Sequence, residues 1–364
     1  MNNRNIQFFL RPSSIYILLI FLCTIFILIF YDGYRMIYFY ANKYIGANPQ
    51  IETSVHIERG RKFVYDGFVG KVEFLQDRTT MGDGRSLDKR HKLRWLYKSV
   101  EAEVYKLVAK KSLRVALYVQ YLHYSLVILV GFIFTALVVR HLRGGIDFNL
   151  LAILAIVVYA WIALVSTAYR IHDQHTFIEM SVVAAGLYFS LKRQLFAVLV
   201  ILFIGVANRE SGVAIGAIYA IINWREKGFW LPVIFGPILL LGINMDLFLL
   251  PDFWNPSSYV VTGDKKLGYI NIMNLTQVPF SLLAFTALKE FAFFAPVALL
   301  VPKAVKSALG LKLVLIGSMY VVIFMFGTIL GYLLPYAILI PIVCGMWAVA
   351  YPVVPPEGTL SVER

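Results

Sequence analysis

Three consecutive polar residues, Asn208, Arg209 and Glu210, lie between the apolar stretches 195–207 and 211–222, with no polar loop on either side. An arginine or a glutamate at the centre of a membrane helix costs about 2.5–3.5 kcal/mol. Two interpretations are therefore open. The triplet forms either a tight turn in which Arg209 and Glu210 pair with each other, or one wall of a polar site in which Arg209 faces the cavity and Glu210 holds it in place.

Other ionisable residues are expected to lie on the same side of the membrane as this triplet and at a similar depth. Carboxylates suit a general base or a divalent cation, and arginines suit bidentate binding of phosphate. The combination indicates a site for a phosphorylated, lipid-borne substrate. The candidate catalytic residues are Asp32, Asp66 and Asp173, and the candidate substrate-binding residues are Arg35, Arg170, His172, Asn208, Arg209, Glu210 and Lys265.

Simpler roles remain open for several of these candidates. Asp32 could cap the loop after a helix, Asp173 could pair with Arg170 at a helix end, and Lys265 could be a solvated loop charge. His172 and His175 could share one face of a helix. However, no catalytic zinc pattern surrounds them, so no metal site is predicted.

The composition indicates a membrane protein. The chain has 364 residues, of which 59% are hydrophobic and 15% are charged. A soluble core does not need so many uninterrupted apolar runs. The net charge of +13 comes mainly from residues between those runs or in one loop. Anionic headgroups or a phosphorylated lipid explain these basic residues better than nucleic acid does.

The apolar runs predict an all-α polytopic membrane protein with about ten transmembrane helices, in a range of roughly nine to eleven. The first run follows Arg4 and Arg11 and lacks a small-residue cleavage pattern, so it is expected to be an uncleaved signal anchor. The runs cover residues 15–31, 115–139, 148–168, 177–191, 195–207, 211–223, 229–250, 278–302, 313–331 and 333–352.

Basic residues in the short connections predict the topology. With the N-terminus in the cytoplasm, every second connection is cytoplasmic, and each of these is basic, as the positive-inside rule requires. The opposite face then receives the candidate site residues. The cytoplasmic connections contain Arg140 and Arg143, Lys192 and Arg193, Arg225 and Lys227, and Lys303, Lys306 and Lys312.

The chain accordingly divides into four parts: a signal anchor (1–31), a long extracytoplasmic loop (32–114), a helical membrane domain (115–352) and a cytoplasmic tail (353–364). Within the long loop, residues 34–45 and 95–108 mix apolar residues with lysine and arginine. Such amphipathic stretches can lie flat on a membrane surface.

The sequence resembles the bacterial membrane glycosyltransferases of the GT-C type, in particular members with an Asn-Arg-Glu-Thr motif. The resemblance rests on Asp32 after the first helix, Asp173 at the start of the fourth, and Asn-Arg-Glu-Ser at 208–211. It is strongest over about residues 168–220. Many members carry paired acids in the first outer loop, whereas this chain has Tyr31-Asp32-Gly33. The cofactor, including a divalent metal, is therefore left open.

The resemblance implies a multi-pass enzyme of the bacterial inner membrane, with both termini cytoplasmic. It would move a sugar, with inversion, from a polyprenyl-phosphate donor to a cell-surface glycan or lipid acceptor at the extracytoplasmic leaflet. By position, Asp32 would be the base, Asp173 a second acidic residue and Arg209 a donor-phosphate contact. The expected partners are this donor, this acceptor and membrane lipids, without nucleic acid. The alternatives are a lipid-linked sugar flippase or transporter, or a polysaccharide polymerase.

Overall fold

The computed structural model describes residues 7–47, 95–110, 112–168, 175–249, 280–327 and 334–352, together with positions 55, 57, 59 and 61. Over these residues the protein is all-helical, without strands. Two 3₁₀ segments, Glu210–Val213 and Leu334–Ile338, join longer helices. The α-helices are α1 (Pro12–Ala47), α2 (Trp95–Ala109), α3 (Leu113–Arg143), α4 (Phe148–Ala168), α5 (His175–Leu191), α6 (Leu195–Asn208), α7 (Ala214–Asn223), α8 (Leu231–Ile243), α9 (Met245–Phe248), α10 (Phe280–Ala304), α11 (Ala308–Gly327) and α12 (Leu339–Ala350).

The first helix is longer than the sequence analysis predicts. α1 is a single helix of 36 residues that passes through the expected boundary between residues 31 and 32. The amphipathic stretch 34–45 continues α1 instead of forming a separate surface helix. Between the two parts the sequence has Gly33 but no proline, and glycine alone weakens a helix without ending it.

α3 is the central helix, and α1 packs antiparallel to it. Near one end of α3, the ring of Phe132 stacks on Phe21 with ring centroids 4.3 Å apart. Near the other end, Gly33 packs so closely against Tyr121 that an added Cβ would stand 2.2 Å from the tyrosine hydroxyl. One face of α1 makes both contacts with one face of α3, and the two contacts together fix the register between these helices.

α5 packs on another side of α3 and runs parallel to it. The Ser181 hydroxyl donates to the carbonyl of Val127 at 2.7 Å. Seven residues further along both helices, the rings of Tyr188 and Phe134 lie 5.9 Å apart. α6 and α7 then pack against α5 and against each other.

The connections that the sequence predicts to be cytoplasmic meet at one end of this bundle, which we term the basic end. Cation–ring contacts and hydrogen bonds join the helix ends there. These contacts are Arg140 over Phe8 (5.0 Å), Arg143 over Trp347 (4.8 Å), Lys303 Nζ to the Tyr351 hydroxyl (2.7 Å), Asn223 Nδ2 to the Ser190 carbonyl (2.9 Å) and Lys312 Nζ to the Ile222 carbonyl (2.5 Å).

The opposite end contains the turn between α6 and α7. α6 ends at Asn208, and Arg209 adopts an extended conformation with φ −161° and ψ 147°. Its N–H still donates to the Gly205 carbonyl at 2.8 Å, and the Glu210–Val213 segment leads directly into α7. Gly212 folds back onto α6, where an added Cβ would stand 2.2 Å from the carbonyl carbon of Gly205. This close approach makes the turn tight.

Two stretches of the described helices, Pro12–Arg35 and Leu113–Arg143, are long and apolar enough to cross a membrane. Shorter apolar helices of 10–17 residues surround them. Many large apolar side chains on these helices point outward. Examples on different helices are Ile20, Ile156, Phe196, Ile238, Leu299 and Leu315, which are all exposed.

Candidate functional site

A buried ion pair organises the turn between α6 and α7. Arg209 Nη1 donates to Glu179 Oε2 at 3.1 Å, and the Ser211 hydroxyl donates to Glu179 Oε1. The side chains of Glu179 and Arg209 are only 1% and 11% exposed. Both oxygens of the Glu179 carboxylate are therefore bound by the turn, which ties α5 to the α6–α7 connection. The triplet thus forms a tight turn, but its arginine pairs with Glu179 and not with the adjacent Glu210.

The partner of Arg209 differs from the sequence expectation. The sequence assigned the role of holding Arg209 to Glu210, the adjacent residue, whereas the structure places the carboxylate of Glu179 against the guanidinium. Glu179 lies thirty positions earlier in the chain, so adjacency in sequence could not identify it. Asn208 is fully buried beside the pair, and Glu210 is half-buried on the first turn of the 3₁₀ segment.

Asp32 lies on α1 rather than in a loop, and its side chain is half-buried. It precedes Gly33, the residue that contacts Tyr121, so the Asp32 carboxylate lies close to the α1–α3 interface. Arg35 follows on the same helix and is exposed. The other candidates lie outside the described residues: Asp66, Arg170, His172, Asp173 and Lys265.

A second buried carboxylate, which the sequence analysis missed, lies between α2 and α3. Glu101 Oε1 accepts hydrogen bonds from the hydroxyls of Tyr105 (3.2 Å) and Tyr124. His123 Nδ1 lies 3.3 Å from the same oxygen and 2.8 Å from the Tyr105 hydroxyl. Four titratable side chains from two helices thus form one hydrogen-bonded cluster, which we term the Glu101 cluster.

The orientation of α2 explains why the sequence pattern hid this cluster. Glu101 and Tyr105, four residues apart, face the bundle and are buried, while Val100, Val104 and Leu107 are exposed. The face of α2 that carries Glu101 and Tyr105 therefore packs inward, against α3 and α6, whereas Glu103 is exposed and pairs with Lys106 at 3.2 Å. An amphipathic pattern by itself indicates two faces without saying which one is buried. The spacing of Glu101 and Tyr105 on one face is the only sequence signal of the cluster.

Three of the described carboxylates, those of Asp32, Glu101 and Glu179, lie at nearly the same level of α3. Glu101 contacts positions 123 and 124 of α3 directly. The contacts Gly33–Tyr121 and Ser181–Val127, extended by one and two residues along the helices, put Asp32 level with about position 122 and Glu179 level with about position 125. Because each helical residue advances about 1.5 Å, this interval spans only about 5 Å along the axis. We term this level, which lies at the end opposite the basic end, the polar layer.

The chemistry available in the polar layer is that of protons and anions. Carboxylates and an imidazole can accept a proton, and the guanidinium of Arg209 can bind an anionic oxygen. Among the described residues, no group of three or more histidine, cysteine, aspartate or glutamate side chains could hold a metal ion. Cys23 and Cys344 are free cysteines on α1 and α12.

Comparisons of the chain with protein-family models, curated proteins and solved structures found no match.

Proposed function

We propose that the protein is a polytopic membrane protein whose polar layer lies at the extracytoplasmic surface. The observation that supports this is the spacing between its two ends. Along α3, Arg140 follows Tyr124 by sixteen residues, or about 24 Å. Asp32 on α1 follows Arg11, the residue just before that helix, by twenty-one residues, or about 32 Å. The hydrocarbon core of a bilayer is about 30 Å thick. The two charged ends therefore fit its two surfaces.

The surface between these ends also fits a bilayer. Exposed apolar side chains recur on the outward faces of α1, α4, α8 and α11, and a soluble monomer rarely exposes apolar surface on this scale. Lysine and arginine gather at the basic end, as expected for a cytoplasmic surface.

The reaction that we propose is transfer of a sugar from a polyprenyl-phosphate donor to a hydroxyl group of a glycan or lipid acceptor. It needs an anion-binding group for the leaving phosphate and a base for the acceptor proton. Both occur in the polar layer, where a lipid-borne donor would present its headgroup. This placement is the observation that favours a transferase over a transporter, which would need charges along a path through the bilayer.

Arg209 is the group that we assign to the donor phosphate. Its ion pair with Glu179 uses Nη1. A guanidinium carries five N–H donors in a planar fork that matches the geometry of phosphate. The side chain is 11% exposed, whereas that of Glu179 is 1% exposed. The resemblance assigns the base to Asp32.

A transfer assay tests this proposal. Purified protein in liposomes is supplied with radiolabelled polyprenyl-phosphate hexoses and pentoses, with membrane lipids and surface glycans as acceptors. We expect the wild type to transfer label. Arg209→Lys keeps the charge opposite Glu179 but loses the bidentate fork, so kcat/KM should fall by about 10–100-fold. Arg193→Lys, at the basic end, should transfer at the wild-type rate.

Two results would contradict the proposal. Wild-type protein that transfers no label from any donor would exclude the transferase, and movement of intact donor between leaflets would then favour the transporter. If Arg209→Lys and Arg193→Lys were equally active, Arg209 would have no role in donor binding.

A further inference from the structure

Two cations at the basic end lie over aromatic rings at the end of α12. The guanidinium carbon of Arg143 is 4.8 Å from the centre of the Trp347 ring, and Lys303 Nζ is 4.4 Å from the centre of the Tyr351 ring. Trp347 and Tyr351 are four residues apart, and the Tyr351 N–H donates to the Trp347 carbonyl at 3.0 Å, so both share one helix face. α12 thereby joins a cation of α3 to a cation of α10, and we term these four residues the Arg143 patch.

The charges of the Arg143 patch have no counter-charge among the residues that the structure describes. Neither cation pairs with a carboxylate there. Lys303 Nζ donates to the Tyr351 hydroxyl at 2.7 Å, and Arg143 Nε is buried without a hydrogen-bond acceptor. The face of the Trp347 ring attracts the guanidinium but gives this N–H no acceptor. A buried donor left without an acceptor destabilises the folded protein, and an anionic ligand would supply one.

The surface beside the patch distinguishes a lipid from a soluble anion. Leu299 lies one helical turn before Lys303 on the same face of α10 and is 78% exposed. Because α10 ends at the basic end, Leu299 lies deeper in the proposed membrane span than Lys303 does. A molecule with an anionic group at the patch and hydrocarbon along Leu299 fits both surfaces. Anionic phospholipids have this form, and basic pockets between membrane helices on the cytoplasmic side bind their headgroups.

We propose that the Arg143 patch binds the phosphate group of an anionic phospholipid of the cytoplasmic leaflet. Arg143 supplies guanidinium N–H donors and Lys303 supplies its ammonium group, while the two aromatic rings hold these cations in place. An acyl chain of the same lipid lies along Leu299. The lipid site depends on the membrane placement proposed above but not on sugar transfer, because the patch and the polar layer lie at opposite ends of the bundle.

Native mass spectrometry of the delipidated, full-length protein in detergent tests the lipid class. Dimyristoyl phosphatidylglycerol is compared with dimyristoyl phosphatidylcholine, which has the same acyl chains and a phosphate but no net charge. We expect a Kd at least about tenfold lower for phosphatidylglycerol. Millimolar inorganic phosphate should not displace it, because free phosphate makes no contact with the apolar surface. Equal Kd values for the two lipids, or displacement by inorganic phosphate, would overturn the proposal.

Variants of the patch test its position in the protein. Arg143→Gln and Lys303→Gln each remove one cation and should each raise the Kd for phosphatidylglycerol about five- to tenfold. Arg225→Gln is the matched control, because the Arg225 guanidinium carbon also lies 4.8 Å from the centre of a tryptophan ring, that of Trp224, but outside the patch. Its Kd should stay within about twofold of the wild-type value.

The exposed residue of the patch keeps this test decisive. Lys303 is exposed, so Lys303→Gln is expected to fold even if Arg143→Gln does not. Equal Kd values for Lys303→Gln and Arg225→Gln would overturn the site. Selective binding of phosphatidylglycerol by a wild type that transfers no sugar would support the site and exclude only the proposed reaction.

Discussion

Replacing Arg209 with methionine is expected to destabilise the folded protein by about 3–5 kcal/mol, because the Glu179 carboxylate then stays buried without its cation. Glu179 is 1% exposed, so water cannot replace the guanidinium without opening the contact between α5 and the turn. The hydrogen bond from Ser211 remains in this variant, but one hydroxyl does not neutralise a buried charge. The loss should appear as a lower midpoint of unfolding in detergent.

Two control variants separate this effect from loss of an arginine in general. Arg193 pairs with Glu226 at 2.6 Å, but these side chains are 69% and 41% exposed, so Arg193→Met should cost less than about 1 kcal/mol. The double variant Arg209→Met with Glu179→Gln removes the charge as well as its partner and should recover part of the stability. If Arg209→Met lowered the free energy of unfolding by no more than Arg193→Met does, the buried pair would not stabilise the turn.

Gly212→Ala is expected to have the second large effect, a loss of about 2–3 kcal/mol. The added methyl group would stand 2.2 Å from the Gly205 carbonyl carbon and 2.5 Å from the Val206 nitrogen. These are backbone atoms of α6 and cannot move aside by a change of rotamer. The turn would have to open, which would also move Arg209 away from Glu179.

Thermal unfolding of purified variants in detergent measures this loss, and Gly242→Ala is its matched control. Gly242 lies inside α8, where nothing stands within 4 Å of an added Cβ. Alanine should therefore stabilise that helix by about 0.5–1 kcal/mol. Equal midpoints for Gly212→Ala and wild type would contradict the close packing of the turn on α6.

The sequence predicts the helices well because each apolar run is long enough to form one. It also identifies the connections that meet at the basic end, since lysine and arginine mark them directly. The end of α1 was not predictable in the same way, because the stretch after Gly33 is amphipathic and could either continue the helix or lie apart from it. Only packing against α3 distinguishes these cases.

The site was less predictable than the helices. The triplet at 208–210 marks its location, because charged residues between apolar runs are costly and therefore informative. Glu179, the partner of Arg209, was not identifiable from the sequence, since the pairing depends on how α5 packs beside α6. Glu101 and His123 belong to different helices, and their contact follows from the inward orientation of the face of α2 that carries Glu101 and Tyr105, which periodicity does not specify.

The orientation of the polar layer is the claim on which the proposed reaction depends most, and cysteine labelling measures it directly. The starting variant has Cys23 and Cys344 replaced by serine. A single cysteine then replaces either Lys110, just beyond α2 near the polar layer, or Lys227, at the basic end. Both positions are exposed. A membrane-impermeant maleimide is then added to spheroplasts. We predict that Lys110→Cys is labelled in intact spheroplasts and Lys227→Cys only after permeabilisation. Labelling of Lys227→Cys alone in intact spheroplasts would place the polar layer in the cytoplasm and contradict the account.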